Sequence, residues 1–359
     1  MFRLIRRLFK WGIVTVLAVA LLLLLPVGYV ETFCRGDAED QTYVPIIKDE
    51  EFQRAEANSY LTYPEWHIVY AYEGLAKVLE TGDEHAFAYS SSIAGFWRAF
   101  CDLNRKADQH GGADAATRQT VHVIGVSFTF ELGMKALYEE TVGRLFATLR
   151  GQQKTQQDIY SARMAADYAG FLRQVPWYKY DFHKSVDELW RQPVTSPLRG
   201  WERRLALGGE WKAKAVYANV LAGAVAATGE AQLRIRSVVK NIAAAELAAI
   251  PDVDVIEDDA GAVIIETPRY RKFTEILKRI AEAGGQVVEI AGNDNIMVSA
   301  IESPALAIAG LQNGRIISRL SRDGYASNRI LIDTRVADLA ELLTEIAKNG
   351  RTLEHVYDY

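Results

Sequence analysis

The sequence VIIET at residues 263–267 is matched by the similar sequence ILIDT at residues 330–334, and this repeat predicts the architecture of the C-terminal third of the chain. In both copies the apolar run is followed by apolar residues at helical spacing, which predicts an amphipathic helix. Gly284 and Gly350 stand at equivalent positions where each helix should end. The two copies therefore predict one structural unit that occurs twice.

The residues upstream of each copy correspond as well. The matching segments are first strands at 233–239 and 296–301, small helices at 241–250 and 304–311, second strands at 253–257 and 315–321, turns at 258–261 and 323–324, and last strands at 286–291 and 352–359. Each copy thus predicts β-α-β-β-α-β, the ferredoxin-like pattern, in units 230–294 and 295–359. Because the helices cover one sheet face, the other face must pack on the second sheet or on the rest of the chain.

Residues 50–229 predict an all-α domain, so the fold class is α+β. All seven tryptophans lie at or before Trp211, and apolar residues recur there at helical spacing. The predicted helices cover 62–82 with a Thr62/Glu65 capping box, 84–107, 115–150, 156–175 and 199–228 with a kink near 208–209. The third is very apolar, but charged side chains interrupt it, which favours a buried core helix over a second membrane span.

The N-terminus predicts a membrane anchor. Residues 11–30 form an uncharged, leucine-rich run, and a helix of that length spans the roughly 30 Å hydrocarbon core of a bilayer. Basic residues fill the flank at 1–10, whereas the linker at 31–49 begins with an acidic excess, which predicts a cytoplasmic N-terminus and an exported bulk. A cleaved signal peptide is the alternative, although Tyr29, Val30 and Glu31 make a poor cleavage site.

Composition narrows the possible partners. The hydrophobic share of 49% is ordinary for a globular protein, and the net charge of −5 argues against nucleic acid as a partner. Cys34 and Cys101 are the two cysteines, which could form a disulfide in an oxidising compartment or remain free thiols. Two cysteines exclude a zinc site made of cysteine alone.

Tyr63, His67 and Tyr70 are the candidate catalytic residues. Their i, i+4, i+7 spacing places them on one helix face, where an imidazole with phenolic neighbours could transfer protons. The structural alternative is that these rings pack in the core and His67 binds a neighbouring helix.

Other candidate sites are weaker. His122 and Glu131 are nine residues apart, on opposite sides of one helix, so they should not share a site. His67 and His122 could meet in the fold as metal ligands, yet no histidine pair has metal-binding spacing, and we expect no metal and no cofactor. A basic run at 269–279 is interpreted as a solvated helix face, with an anionic-ligand site as the alternative.

These observations favour a non-catalytic interaction or assembly protein of the bacterial cell envelope. It would be held in the inner membrane by residues 11–30, with its bulk in the periplasm and a protein partner there. A sensor that binds a small ligand between the two repeat units is the second hypothesis. An enzyme that uses the Tyr63, His67 and Tyr70 face is the third.

Overall fold

The computed structural model describes residues 2–39, 42–228, 233–259, 261–306 and 310–359. It contains a long N-terminal helix, a helical domain and two four-stranded antiparallel sheets. The predicted combination of helices and sheets is confirmed. The domain boundary predicted at 229–230 lies outside the described residues.

Nine α-helices occupy the described part of the first 228 residues. They are α1 Phe2–Phe33, α2 Ala57–Leu61, α3 Tyr63–Thr81, α4 Tyr89–Gln109, α5 Ala115–Tyr138, α6 Arg144–Arg150, α7 Gln156–Leu172, α8 Phe182–Arg191 and α9 Pro197–Thr228. A π-turn at Glu139–Gly143 joins α5 to α6, so the helix predicted at 115–150 is continuous. The kink predicted near 208–209 does not interrupt the helical hydrogen bonding of α9.

The start of α3 differs from the prediction. Thr62 has helical dihedral angles, and its side chain makes no capping bond, because α2 runs almost directly into α3. The Thr62 hydroxyl donates instead to the Ser59 carbonyl at 3.1 Å. The predicted capping box with Glu65 is therefore wrong, whereas the end of the helix at Thr81 is as predicted.

The C-terminal part contains two sheets with the same topology. The elements are β1 Arg234–Lys240, α10 Ala244–Ala248, β2 Asp254–Asp259, β3 Ala262–Pro268, α11 Arg271–Glu282, β4 Gln286–Ile290, β5 Asn295–Glu302, β6 Arg315–Ser321, β7 Asn328–Arg335, α12 Leu339–Lys348 and β8 Thr352–Tyr357. The strand orders are β2-β3-β1-β4 and β6-β7-β5-β8. The helix predicted at 304–311 appears as a 3-10 turn at Pro304–Leu306, and residues 307–309 lie outside the described part.

The strand register supports an internal duplication. In the first sheet the β2–β3 ladder shifts between Val255 and Glu257, opposite Ile265 and Ile264. The β6–β7 ladder of the second sheet shifts opposite Ile332 and Leu331, which are the equivalent residues of the second copy. A β-bulge at the same place in both sheets extends the similarity from sequence to backbone pairing.

The second sheet is buried on both faces. Successive side chains of a strand point to opposite faces, and Val298 belongs to a core shared by both repeat units, whereas Met297 belongs to the core of the helical domain. In the shared core α11 packs on β8 and on α12, and α12 packs on β4. Of the two predicted ways to cover the free sheet face, packing on the helical domain is therefore correct for the second unit.

The segment predicted as a linker binds to the first sheet. The buried Glu289 carboxylate of β4 accepts hydrogen bonds from the Tyr43 hydroxyl at 2.6 Å and from the amides of Ile46 and Ile47. The guanidinium of Arg236 lies 3.4 Å from the centre of the Phe52 ring. Residues 42–52 thus attach the first repeat unit to the helical domain.

Candidate functional site

The three side chains that the sequence singles out, Tyr63, His67 and Tyr70, line one cavity of about 60 Å³. They lie on one face of α3, and each is at most 8% exposed. Asp323, from the loop between β6 and β7, and Arg329 of β7 form the opposite wall. A cavity of this volume holds a few water molecules or a small polar group. The structure therefore brings the three residues together, while their role remains a prediction.

His67 is a neutral side chain in this cavity wall. Its Nε2 lies 3.0 Å from the carbonyl oxygen of Ser92, and because a carbonyl only accepts, Nε2 carries the proton. Its Nδ1 is buried and has no hydrogen-bond partner among the described residues. Burial lowers the pKa of His67 to about 4. The free Nδ1 is consequently an acceptor that a donor in the cavity could use.

Tyr70 is held between a cation and a chain of hydroxyl groups. The Arg329 guanidinium lies 3.4 Å from the centre of the Tyr70 ring, within the range of a cation–π interaction. Two hydrogen bonds join Arg329 to Glu354, one of them at 2.6 Å, so its charge is compensated. The Tyr70 hydroxyl lies 3.2 Å from that of Tyr357, which donates to Ser299 at 3.1 Å. Burial raises the pKa of Tyr70 well above its ordinary value.

The Tyr63 phenol and the Asp323 carboxyl are also shifted towards their neutral forms. Burial raises the pKa of Tyr63, and the positive charge of Arg329 opposes that rise. Burial likewise raises the pKa of Asp323, against the effects of the Ser92 hydroxyl and Arg329. Each shift has the same physical origin, since a site shielded from water disfavours the charged form of a group.

The mouth of the cavity is charged. Arg322 donates to Glu73 at 2.9 Å and stacks on the Tyr325 ring at 3.9 Å. Glu73 also accepts from Arg173 at 2.8 Å, which ties α3 to the end of α7. Arg98 is exposed at the same mouth. The entrance thus combines a braced ion-pair network with an accessible cation.

The pKa values of the three candidate residues do not lie near neutrality. A general acid or base works best when its pKa lies near the working pH, and the pKa of His67 is well below neutrality while those of the phenols are above their ordinary values. A cavity of 60 Å³ is also far smaller than the roughly 300–1,000 Å³ of sites for drug-sized ligands. The polar groups that remain can still fix a small molecule by hydrogen bonds.

His122, Glu131 and His67 each bind a different partner. The His122 Nε2 lies 2.7 Å from Glu31 of α1, while Glu131, on the other side of α5, lies 2.9 Å from Lys214. The prediction that His122 and Glu131 do not share a site is confirmed. The His67 Nε2 binds the Ser92 carbonyl, and the His122 Nε2 binds Glu31.

One group of acidic side chains has metal-like spacing, yet arginines occupy it. Within the described ranges, Asp83, Glu84 and Asp158 are the group whose ligand atoms lie within 4.8 Å of one another. Arg150 lies 2.9 Å from Asp83 and 2.8 Å from Asp158, and Arg199 lies 3.0 Å from Glu84. The cluster is therefore a buried ion-pair network that connects α6, α7 and α9.

Four side chains of the basic run are paired with acidic side chains. Arg269 binds the buried Asp358 at 3.0 Å, which anchors the first repeat unit to the end of the second. The pairs further along are Arg271 with Glu275 at 2.8 Å, Lys272 with Asp252 at 2.9 Å and Lys278 with Glu282 at 3.7 Å. These contacts favour the interpretation as a solvated helix face over an anionic-ligand site.

The junction of α1 with the helical domain is the second notable site. Residues Phe9–Phe33 of α1 form the one described helix that is long and apolar enough to cross a membrane. A disulfide joins Cys34, at its end, to Cys101 of α4, and Asn104 donates to the Cys34 carbonyl at 2.7 Å. Glu31 accepts from Arg118 of α5 at 3.3 Å. The end of α1 is therefore held firmly against α4 and α5.

Arg329 and Glu354 were not predicted from the sequence, whereas the Cys34–Cys101 disulfide is one of the two alternatives that the sequence left open. Arg329 lies 259 positions after Tyr70 by residue number, and no local pattern links residues so distant. Comparison of the chain with family models, curated proteins and solved structures found no significant match.

Proposed function

We propose that this chain is a membrane-anchored, non-catalytic interaction or assembly protein of the bacterial cell envelope. The observation that carries the proposal is the form of α1. Leu17, Leu21 and Leu25 of α1 are 58–66% exposed, whereas its C-terminal end is bonded to the folded domain. An apolar helix so exposed needs an apolar surrounding, which a bilayer supplies along residues 11–30.

The proposed orientation places the N-terminus in the cytoplasm and the bulk in the periplasm. Arg6, Arg7 and Lys10 precede the apolar segment, and basic flanks are retained on the cytoplasmic side. The Cys34–Cys101 bond is consistent with this, because disulfides persist in oxidising compartments such as the periplasm. We further propose that the two repeat units are ferredoxin-like, which their strand orders and the β-bulge at one equivalent place support.

The rigid junction supports a role in binding. Because a disulfide and several hydrogen bonds hold the end of α1, the folded domain takes a set orientation relative to the bilayer instead of hanging on a free tether. A set orientation presents one side of the domain to other membrane proteins at every encounter. The shifted pKa values of Tyr63, His67 and Tyr70 support a non-catalytic role for the cavity.

Three measurements test the proposal. Alkaline phosphatase fused after Tyr359 should be active in cells, and the mass of the purified chain should include residues 11–30. An inactive fusion together with an active cytoplasmic reporter would overturn the orientation, and a chain cut after the apolar segment would overturn the anchor.

Crosslinking in intact membranes, with mass spectrometry, should enrich a defined envelope protein over a sample dissolved in detergent before crosslinking. No enrichment would count against the interaction role.

A small-ligand sensor is the second candidate, at a different place from the one predicted. Between the repeat units α11 packs on α12 and the residues form one core, so the cavity under Tyr63, His67 and Tyr70 is the better candidate site. Formate, acetate and inorganic phosphate can be screened by thermal shift. A ligand of the cavity should raise the melting temperature of the native chain in a concentration-dependent way, and this rise should be lost in Arg98→Ala.

The enzyme hypothesis has its own test. If the chain is an enzyme that uses this helix face, His67→Ala should abolish its cellular phenotype at a normal protein level. An unchanged phenotype would remove the central residue of that hypothesis, while Arg98→Ala serves as a matched substitution at the cavity mouth.

A further inference from the structure

An exposed row of apolar side chains runs along α5 and α6. These side chains, all between 41% and 64% exposed, are Val123, Phe130, Met134, Leu137, Val142, Leu145 and Leu149. We call this set the α5–α6 stripe. The sequence favoured a buried core helix here, and the structure corrects that expectation, since only one face of α5 is buried.

The spacing of the stripe shows that it is one continuous helix face. Its members follow one another at intervals of seven, four and three residues up to Leu137, which keeps them on one side of an α-helix. The next interval, from Leu137 to Val142, is five residues and falls on the π-turn at Glu139–Gly143. A π-turn accommodates one additional residue per turn, so the wider interval keeps Val142 on the same face, and Leu145 and Leu149 continue it.

The buried face of α5 lies opposite the stripe. Val121, Gly125, Phe128 and Leu132 are in the core, and Gly125 is pressed so closely against α4 that an added Cβ would lie 2.6 Å from Phe96. The helix is therefore apolar on two opposite sides, of which the protein core covers one. A helix that is apolar all round belongs to a buried core or to a membrane, and large exposed apolar patches mark interaction surfaces.

The stripe begins beside the membrane helix. An open groove of about 730 Å³ lies between α1 and α5, lined by Leu24 and Val27 on one side and by Val123 and Val126 on the other. Leu24 is six residues before the end of the proposed span at Val30, or about 9 Å along the helix. If α1 crosses a bilayer, this depth lies within its outer half, since the whole hydrocarbon core is about 30 Å thick.

From this geometry we propose that the α5–α6 stripe lies in the outer leaflet of the membrane that α1 spans, at the boundary between acyl chains and headgroups. The proposal rests on the membrane anchoring of α1 proposed above. The occupant is lipid, because the stripe starts at a depth of α1 that the bilayer already surrounds and continues from it. Interfacial helices bury their apolar face by roughly 5–10 Å, which suits a stripe one helix face wide.

The test uses the full chain in lipid nanodiscs, with single labelled cysteines. The native cysteines are both in the disulfide, so a fluorescent dye attaches only to an introduced cysteine. Leu137→Cys and Leu145→Cys probe the stripe, Leu21→Cys reports on α1, and Lys278→Cys on the exposed face of α11 is the matched control. Phosphatidylcholine with a nitroxide on its acyl chain is the quencher.

We expect the dyes at positions 137, 145 and 21 to lose about half of their fluorescence or more, and the dye at 278 to keep it, because only the first three should contact acyl chains. Quenching at 21 without quenching at 137 and 145 overturns the stripe proposal alone. No quenching at 21 overturns the anchor as well. A different result would assign the stripe to a second copy of the chain. In that case the dyes at 137 and 145 would escape lipid quenching, would be shielded from aqueous iodide, and a crosslinked dimer would form in the same sample.

Discussion

The buried pair of Arg329 and Glu354 permits the most quantitative prediction. Arg329 is 4% exposed, and its guanidinium is bound to Glu354 and stacked on Tyr70. Substitution Arg329→Met keeps much of the side-chain volume but leaves the Glu354 carboxylate largely buried without its cation. Removal of one partner from a buried ion pair costs about 3–5 kcal/mol, and we expect a loss of that size in the free energy of unfolding.

A double-mutant cycle separates this cause from lost packing. In Arg329→Met with Glu354→Gln no charge is left unpaired, so the double variant should recover a substantial part of the loss, with a coupling energy of about 1–3 kcal/mol. Arg335→Met is the control on the same strand, because Arg335 is 68% exposed and pairs with Asp338 at the surface, where such pairs contribute at most about 1 kcal/mol.

The assay is a urea titration of the full chain in detergent, followed by tryptophan fluorescence. Trp66 is one of the seven tryptophans and packs against His355 at 3.8 Å between ring centres, so part of the emission reports on the contact of α3 with the second sheet. Two results would contradict the cost assigned to an unpaired buried charge. One is a loss in the free energy of unfolding below about 1 kcal/mol for Arg329→Met. The other is a loss in the double variant equal to the sum of the two single losses.

Three further predictions concern pH, glycine and the disulfide. The pKa of His67 in the folded chain is about 4, below its ordinary value of 6.5. Between these two values the unfolded chain binds more protons than the folded chain, so stability falls as the pH falls. Lowering the pH from 6.5 to 5 should cost about 2 kcal/mol of stability through His67, and thermal unfolding of His67→Gln at both pH values should show a smaller loss. Gly74→Ala should lower the melting temperature, because the added Cβ would lie 2.7 Å from the Asp323 carbonyl oxygen. Gly133→Ala, with open space around it in α5, is the control and should be neutral or stabilising. Equal effects of the two substitutions would contradict the close approach of α3 to the cavity wall. The double substitution Cys34→Ser and Cys101→Ser removes a disulfide between residues 67 positions apart. It should lower the free energy of unfolding by about 2–4 kcal/mol, measured by chemical denaturation. A denaturation midpoint equal to that of the oxidised native chain would show that this bond does not form.

The parts of the fold that the sequence predicted are those set by local pattern. The repeats at 263–267 and 330–334 became β3 and β7, and the helix predicted at 115–150 became α5, the π-turn and α6. The helix α8 was missed, although Phe182, Val186 and Leu189 are buried at helical spacing and could have indicated it.

The parts that sequence reasoning could not reach depend on contacts between distant segments. Tyr63, His67 and Tyr70 could be placed on one face from their spacing, yet the opposite wall with Asp323 and Arg329 comes from a hairpin more than two hundred residues later. The exposure of the α5–α6 stripe could not be predicted either, because an apolar sequence has the same pattern whether a protein core or a bilayer covers it. The capping box failed for a local reason, since residues 57–61 were already helical before Thr62.

We propose that α1 crosses a membrane and holds the folded domain on its outer side. This proposal is tested most directly by labelling single cysteines in intact spheroplasts with a maleimide that does not cross membranes, using Lys278→Cys in the folded domain and Arg6→Cys before the apolar segment. We expect rapid labelling at 278 in intact spheroplasts and labelling at 6 only after lysis. Labelling at 278 only after lysis would contradict the proposal and would place the folded domain in the cytoplasm.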